Sequence, residues 1–430
     1  MKQTLYERLL RRFLISCIRR VMRKQSPRVI VVTGSLGKTS TRAAVARAIS
    51  GSWPVFTRSL KSNFDRGPLM AFFGLRPNKN IRGRRFWVED VPRILRLSKK
   101  YPYELVVLEI SEISLTNQLD LIEVLQPTIS VLTSLAKVHA SDHAEDDITL
   151  QMQSLIEHSE SVIYNADFSS LKVVVDNHPR VKSYGSARTA DYRLIVAGVG
   201  IDQLSNFVIR HGMQEWDVPS NQIGQHSGVA YSAALAVTDV LGGDIPDAIA
   251  ELKLLYPVRG RLNPLRGIRK SLIIDDCYNA NAISMGAALD TLARFPAPRI
   301  AVLGSMNELG DHSPREHRAV GRRVAQSADV LIAIGEDSTR YLAPAAIQAG
   351  MKSDQVHTFE SARAAGAYLK RHVAVSSTVM GKGSQDGVYT EEALLPLVVG
   401  RDKRRLIRQT AFWRAKKDRF YANLQTRPTE

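Results

Sequence analysis

Apolar and polar positions divide the chain into two successive runs of short buried strands alternating with helices. Val29 to Val32 is continuously apolar and reads as a buried strand. It breaks into a turn bearing Gly34 and Gly37, after which the 3.6-residue period predicts a helix from Thr39 to Ile49 (Ala43, Ala44, Val45, Ala48). Similar apolar runs follow within Tyr103–Glu109, Pro127–Ser134 and Ser161–Asp167, with helical stretches between them. Residues 186–222 read as a β-rich excursion, and Gly224 opens an alanine-rich helix ending near Leu241. A hinge is expected around Tyr256–Arg261. Beyond it, Leu272–Ile274, Ile300–Leu303, Val330–Ile334 and Thr378–Met380 predict a second, smaller open sheet. Strands alternating with helices predict the α/β class, with a doubly wound first domain. The expected divisions are an N-terminal helix (1–26), a central domain (27–256), a C-terminal domain (257–400) and a basic tail (401–430).

The two ends carry much of the charge. In residues 1–26, Tyr6, Leu10, Phe13, Leu14, Cys17 and Val21 share one helix face, and Arg8, Arg12, Arg19 and Arg23 lie on another. That pattern fits docking on an anionic membrane surface, and equally a helix packed on the main domain with a solvated arginine face. The tail beyond Arg401 is expected to form a solvated basic helix. Over the whole chain 59 lysines and arginines face 42 acids, a net charge of +17 that favours an anionic partner. No motif supports nucleic acid as that partner. Two cysteines, Cys17 and Cys277, make no disulfide framework and show no metal-ligand spacing, so a reducing cytoplasm is the expected setting. No apolar run reaches the length of a membrane span.

The chemistry concentrates after the first strand, at Thr33-Gly34-Ser35-Leu36-Gly37-Lys38-Thr39-Ser40. A glycine-bearing turn between a buried strand and a helix exposes backbone N–H groups to phosphate oxygens, and the helix start adds partial positive charge. Lys38 would reach the outer phosphates and the Thr39 hydroxyl would hold Mg2+. The spacing departs from the usual phosphate loop, whose first glycine is here Val32. A nucleoside triphosphate site, with ATP and Mg2+, is the reading. Glu109, at the end of an apolar strand, is suited to the same Mg2+.

The ordered motifs resemble the Mur ligase family, ATP-dependent enzymes that extend the peptide of peptidoglycan precursors. Within it they look most like the branch that adds D-Ala-D-Ala to the UDP-muramoyl tripeptide, the MurF type. Residues 33–40 match the family loop, Leu108-Glu109 its magnesium-binding glutamate, His139 the histidine of its Ala-x-His stretch, and Gly260-Arg261 the arginine that contacts ATP. Three later stretches are more specific: Asp275-Asp276-Cys277-Tyr278-Asn279-Ala280-Asn281, then Leu303 to Gly310 with Glu316-His317, and Lys382-Gly383-Ser384. The resemblance covers roughly residues 28–400. It implies a phosphate-loop central domain and a Rossmann-like C-terminal domain. It also implies a carboxylate–amine ligase working through an acyl phosphate, with ADP and phosphate as products.

Role by role, it implies Lys38 and His139 as catalytic residues. Gly34, Ser35, Gly37, Lys38, Thr39, Ser40, Arg261 and Asp276 would bind ATP; Thr39, Glu109 and His139 would hold metal. Asn279, Asn281, Glu308, His317 and Lys382 would shape the substrate site. The chain departs from the family at three points, one of them His226-Ser227-Gly228 at the start of the adenine-side helix and Ala282 where a proline usually follows Asn281. The phosphate loop starts at residue 33, so a preceding UDP-sugar-binding domain is expected to be missing. Gln153 stands where the family carries a lysine that is typically carbamoylated and supports metal binding. A poly-γ-glutamate-synthase-like ligase and a degenerate nucleotide-binding scaffold are the competing readings. A monomer or weak oligomer acting on a small-molecule or peptide substrate is expected.

Overall fold

The computed structural model describes residues 5–58, 67–75, 84, 86–110, 119–135, 152–199, 205–307 and 309–425. They form two compact units. The first comprises Met1–Gly198, Asn206–Ser220 and Gln225–Leu255; the second comprises Val199–Ser205, Asn221–Gly224 and Tyr256–Glu430.

Unit 1 is built on a nine-stranded sheet in the order β2-β3-β1-β4-β5-β6-β7-β8-β9. Its first five strands are β1 (Arg28–Thr33), β2 (Val55–Arg58), β3 (Leu105–Glu109), β4 (Ile129–Leu132) and β5 (Ser161–Asn165). β6 (Val181–Gly185), β7 (Tyr192–Val199), β8 (Ser205–His211) and β9 (Gln214–Ser220) complete it. The strands from β2 to β6 pair in parallel. The β-rich excursion thus extends the main sheet at one edge. Side chains of β1 alternate between two cores: Val29 and Val31 join one cluster, Ile30 and Val32 the other. Both faces are apolar because both are covered by helices. Helix α2 (Lys38–Ala48) and the alanine-rich helix Gln225–Val240 cover one face and pack on each other.

The other face is covered in part by α1 (Leu5–Gln25). Leu10, Leu14, Ile15, Cys17, Ile18 and Val21 are buried in the core there. The apolar face of α1 is taken up by the domain, as the packed-helix reading expects, and Arg8, Arg12, Arg19 and Arg23 lie on the exposed side. No helix among the described residues is long and apolar enough to cross a membrane.

Unit 2 has a six-stranded sheet in the order β10-β11-β15-β12-β13-β14. These are β10 (Asn263–Arg266), β11 (Leu272–Asp275), β12 (Arg299–Gly304), β13 (Val330–Ile334), β14 (Val356–Phe359) and β15 (Thr378–Lys382). Only the edge strand β10 runs antiparallel to its neighbour. The C-terminal segment forms the helix Ala411–Gln425, most of whose side chains are exposed, while one side is docked, with Lys417 and Tyr421 buried. The cause is electrostatic: Glu391 and Glu392 are buried beneath it, and Lys417 and Arg408 pair with them.

Candidate active site

The phosphate-loop residues sit at the carboxyl end of β1, flanked by β3 and β4. In register, Val32 pairs with Glu109 on one side, and Thr33 with Leu132 on the other. Ligands of open parallel sheets bind at such strand ends, where consecutive connections run to opposite sides. The loop conformation is set by two glycines. Gly34 has φ +130°, and a Cβ there would lie 2.4 Å from Thr133 Oγ1 and 2.7 Å from the Ser134 backbone. Gly37 caps α2 at φ +81°. The end of β4 then braces the loop. Leu36 N–H donates to Ser134 Oγ at 2.6 Å, Ser35 N–H donates to Ser134 O at 3.2 Å, and Thr133 Oγ1 donates to Leu36 O at 2.6 Å. Asn165 Nδ2 in turn donates to Thr133 O at 3.0 Å.

Within this frame Lys38 Nζ donates to Gly34 O, folded over the loop at the start of α2. Thr39 Oγ1 donates to Glu109 Oε1 at 2.8 Å. Arg42, one turn further along α2, is buried and donates from Nε to Glu109 Oε2 at 3.3 Å, while its Nη1 reaches Thr57 Oγ1. Burial lowers the Arg42 pKa, and the charge of Glu109 opposes that shift. The guanidinium therefore holds one carboxylate oxygen and leaves the other facing the threonine hydroxyl. Cis oxygen ligands of an octahedral Mg2+ at 2.0–2.1 Å lie roughly 2.9 Å apart. The Thr39–Glu109 pair at 2.8 Å fits such an ion. Mg2+ in nucleotide sites takes few protein ligands and completes its shell with water and phosphate oxygens, so no larger cage is needed. Among the described residues no group of three His, Cys, Asp or Glu side chains forms one. His139 and Glu308 lie outside the described residues. Gln153 is exposed on a helix at 152–157 whose Met152, Leu155 and Ile156 are buried.

The motifs of unit 2 also meet at strand ends. β11 and β15 are neighbours, which places Asp276 beside Lys382 at 2.8 Å. Lys382 is 1 % exposed, and its Nζ also donates to Asn279 O at 3.0 Å. Asp276 Oδ1 accepts from Leu262 N–H, and Asn279 Oδ1 accepts from Gln385 N–H. Arg261 lies over the Tyr278 ring, 4.3 Å from its centroid. Asn281 caps the helix Ala282–Leu292 in a reciprocal pair with Ser284. Lys382 and Asn281 therefore hold the loop in which they sit.

His317 departs furthest from its expected role. It is fully buried, accepts at Nε2 from Met306 N–H at 3.0 Å and donates from Nδ1 to Ser313 O at 2.8 Å. Burial lowers its pKa, in keeping with a neutral ring that does both. It shapes the glycine-rich turn after β12 from behind and is not open to a substrate. Sequence reasoning missed Arg42, Thr133 and Ser134. The polar pair directly after the apolar β4 was a usable signal; for Arg42 there was only its place one helical turn beyond Thr39.

Comparison with known proteins agrees with this geometry. The chain matches the Mur ligase middle domain over residues 32–238 and the Mur ligase glutamate ligase domain over residues 260–385. It is 26 % identical over 335 residues to a UDP-N-acetylmuramoyl-tripeptide–D-alanyl-D-alanine ligase of Haemophilus influenzae, covering 73 % of this chain and 65 % of that protein. The protein of the same name from Escherichia coli is 26 % identical over 332 residues, 74 % of this chain and 67 % of its own length. The chain thus spans about two thirds of the length of these relatives. Among solved structures, Thermotoga maritima MurF in complex with ADP superposes with a TM-score of 0.71 at 21 % identity, covering 89 % of this chain and 82 % of that one. Folylpolyglutamate synthase of Mycobacterium tuberculosis superposes with a TM-score of 0.57 at 15 % identity, covering 88 % and 95 %. With both domain signatures in order and the loop, glutamate and strand-end motifs in place, the chain belongs to the Mur ligase family.

Proposed function

We propose that the chain is an ATP-dependent carboxylate–amine ligase. An acceptor carboxylate attacks the γ-phosphorus of ATP, the bond to the β-phosphate oxygen breaks, and ADP leaves. An amine then attacks the acyl carbon, loses a proton and expels phosphate, leaving an amide. The observation that carries this reading is the Thr39–Glu109 pair at 2.8 Å beside Lys38, on the loop between β1 and α2.

Two anions must meet in the first step, so the site has to supply positive charge without reorganising. Lys38 brings an ammonium to the loop, and the helix start adds oriented N–H groups. Arg42 fixes the orientation of the Glu109 side chain. Bound by Thr39 and Glu109, Mg2+ would screen the transferring phosphoryl group. His139 is proposed to act beside it, and Arg261 and Asp276 to engage ATP. Asn279, Asn281, Glu308 and Lys382 are proposed to form or support the amine site, with His317 holding its turn. The reading places the reaction in the cytoplasm, where ATP is.

The acceptor proposed first is a peptide- or amino-acid-bearing cell-wall precursor, after the relatives' names. One observation favours a second acceptor class. In structure the chain covers 95 % of the folylpolyglutamate synthase and 82 % of the Thermotoga maritima MurF. An acceptor without a UDP-sugar, elongated by glutamate, fits that match.

The test is ADP release from Mg-ATP by the purified protein. UDP-muramoyl tripeptide and UDP-free acceptors are each paired with D-Ala-D-Ala or glutamate. Turnover that depends on the acceptor and is lost in Lys38→Ala is expected. Nucleotide binding without turnover for any pair would sink the ligase reading in favour of a nucleotide-binding scaffold.

A further inference from the structure

Unit 2 contains a cavity of about 440 Å³ whose walls come from the Tyr256–Arg261 segment, the helix Ala362–His372, the short helix Glu391–Leu394 and the C-terminal segment from Gly400 onward. Apart from Arg259 and Arg363, its lining lies beyond residue 385, where the glutamate-ligase-domain match ends. Six cationic side chains line it against two carboxylates, Glu392 and Asp418. Both carboxylates are engaged, Glu392 buried at the base and Asp418 exposed at the rim. Lys417, 1 % exposed, donates to Glu392 at 2.5 Å; Arg363 holds Glu392 at 3.2 Å and Asp418 at 2.5 Å. The remaining cations, Arg259, Lys403, Arg404 and Arg414, make no ion pair among the described residues and are exposed at the cavity. Gln409 and Thr410 add neutral polar groups, and Leu395 an apolar patch.

This is the charge pattern of an anion site. Cations held together around a concavity repel one another, and their field is focused by the walls. Guanidinium groups present planar forks that match phosphate and carboxylate oxygens two at a time. Four cations with no carboxylate partner call for a ligand of high charge density, and the volume is that of a small-molecule site. The base is rigid. Glu391 and Glu392 are buried, and Arg408, 6 % exposed, bridges Glu391 to the carbonyls of Cys277 and Tyr278.

We propose that this cavity binds a small oligophosphate or multiply phosphorylated molecule. Arg259, Lys403, Arg404 and Arg414 would be its contacts, Lys417 the buried base, and Arg363 an exposed cation at the edge. The same ion network ties the base to the loop that carries Asp276.

The test uses the full-length chain carrying Lys38→Ala, so that the phosphate loop of unit 1 contributes little. Sodium tripolyphosphate is titrated calorimetrically at low salt, with citrate as the carboxylate control. Saturable binding of tripolyphosphate is expected, with citrate weaker. Adding Lys403→Ser and Arg404→Ser should weaken it by about tenfold or more and flatten its salt dependence. Both positions are exposed, so unchanged thermal melting should show that the fold is kept; Arg404→Glu alone is a second variant with the same expectation. Absence of binding, or binding that ignores these substitutions, overturns the site. Citrate binding as tightly as tripolyphosphate, with the same sensitivity, overturns the phosphate assignment.

Discussion

Two buried strands of this protein, β3 and β11, end in carboxylates, and the two ends are satisfied in different ways. Glu109 closes β3 with one oxygen on Arg42 and the other on the Thr39 hydroxyl, beside a phosphate loop. Asp275 closes β11 fully buried, accepting N–H bonds from Gly260, Cys277 and Ile407. Its neighbour Asp276 is paired with the buried Lys382. An acid at a strand end is thus no site by itself. It becomes one where the carboxylate is shared between a guanidinium and a hydroxyl at the start of a phosphate loop. It becomes a fastening where backbone N–H groups and a lysine take all of it.

The comparison breaks or sharpens under substitution. The largest effect is expected at Lys38. Lys38→Ala should lower ATP-dependent turnover by about 10³-fold while leaving the melting temperature nearly unchanged, since its partners are loop carbonyls. A large loss of stability instead would make Lys38 a structural residue.

At the other strand end stability should suffer first. Lys382→Ala strands Asp276, which is 7 % exposed, and should cost about 3–5 kcal/mol in denaturant unfolding. The double variant Lys382→Met, Asp276→Asn should recover part of that loss. If the single variant unfolds like the parent, the pair is no fastening.

Thr39→Ala comes next. It removes one hydroxyl from the Glu109 pair and should reduce turnover by about 10²-fold, with a stability change of about 1 kcal/mol or less. Restored turnover in Thr39→Ser would tie the effect to the hydroxyl; no restoration would point to packing.

The smallest effects are in pH. Burial pushes Asp275 from 3.8 up to about 6, against the pull of its N–H donors. Its folded form holds the proton more tightly than the unfolded chain does. Its contribution is therefore full below 3.8 and is lost as pH rises through about 6. His317 runs the other way. Burial holds its folded pKa below 6.5, so its contribution is present above 6.5 and fades as pH falls. Urea unfolding of the parent and His317→Gln across this range should show the parent losing its advantage on the acid side. Parallel profiles would mean that His317 is not held neutral.

Much of the fold could be read from the chain because its signals are local. Four apolar residues followed by a glycine turn, Lys-Thr-Ser and a 3.6-residue period specify strand, loop and helix within some twenty positions. The two α/β units, and the meeting of Lys38, Thr39 and Glu109 at neighbouring strand ends, followed from such runs read in order. The sequence could not reveal pairings across long separations. Arg42 with Glu109, Thr133 and Ser134 with the loop, and Lys382 with Asp276 join positions that only the sheet registers bring together. The ends of the chain show this most clearly. Both read as basic helices, yet α1 is buried by its apolar face against the sheet of unit 1. The last helix is held by Glu391 and Glu392, whose burial no local pattern announces. Local propensity and periodicity determined the elements. Which charges were neutralised, and which were left facing a cavity, was decided by tertiary structure, because a buried charge is stable only where distant residues supply its partner.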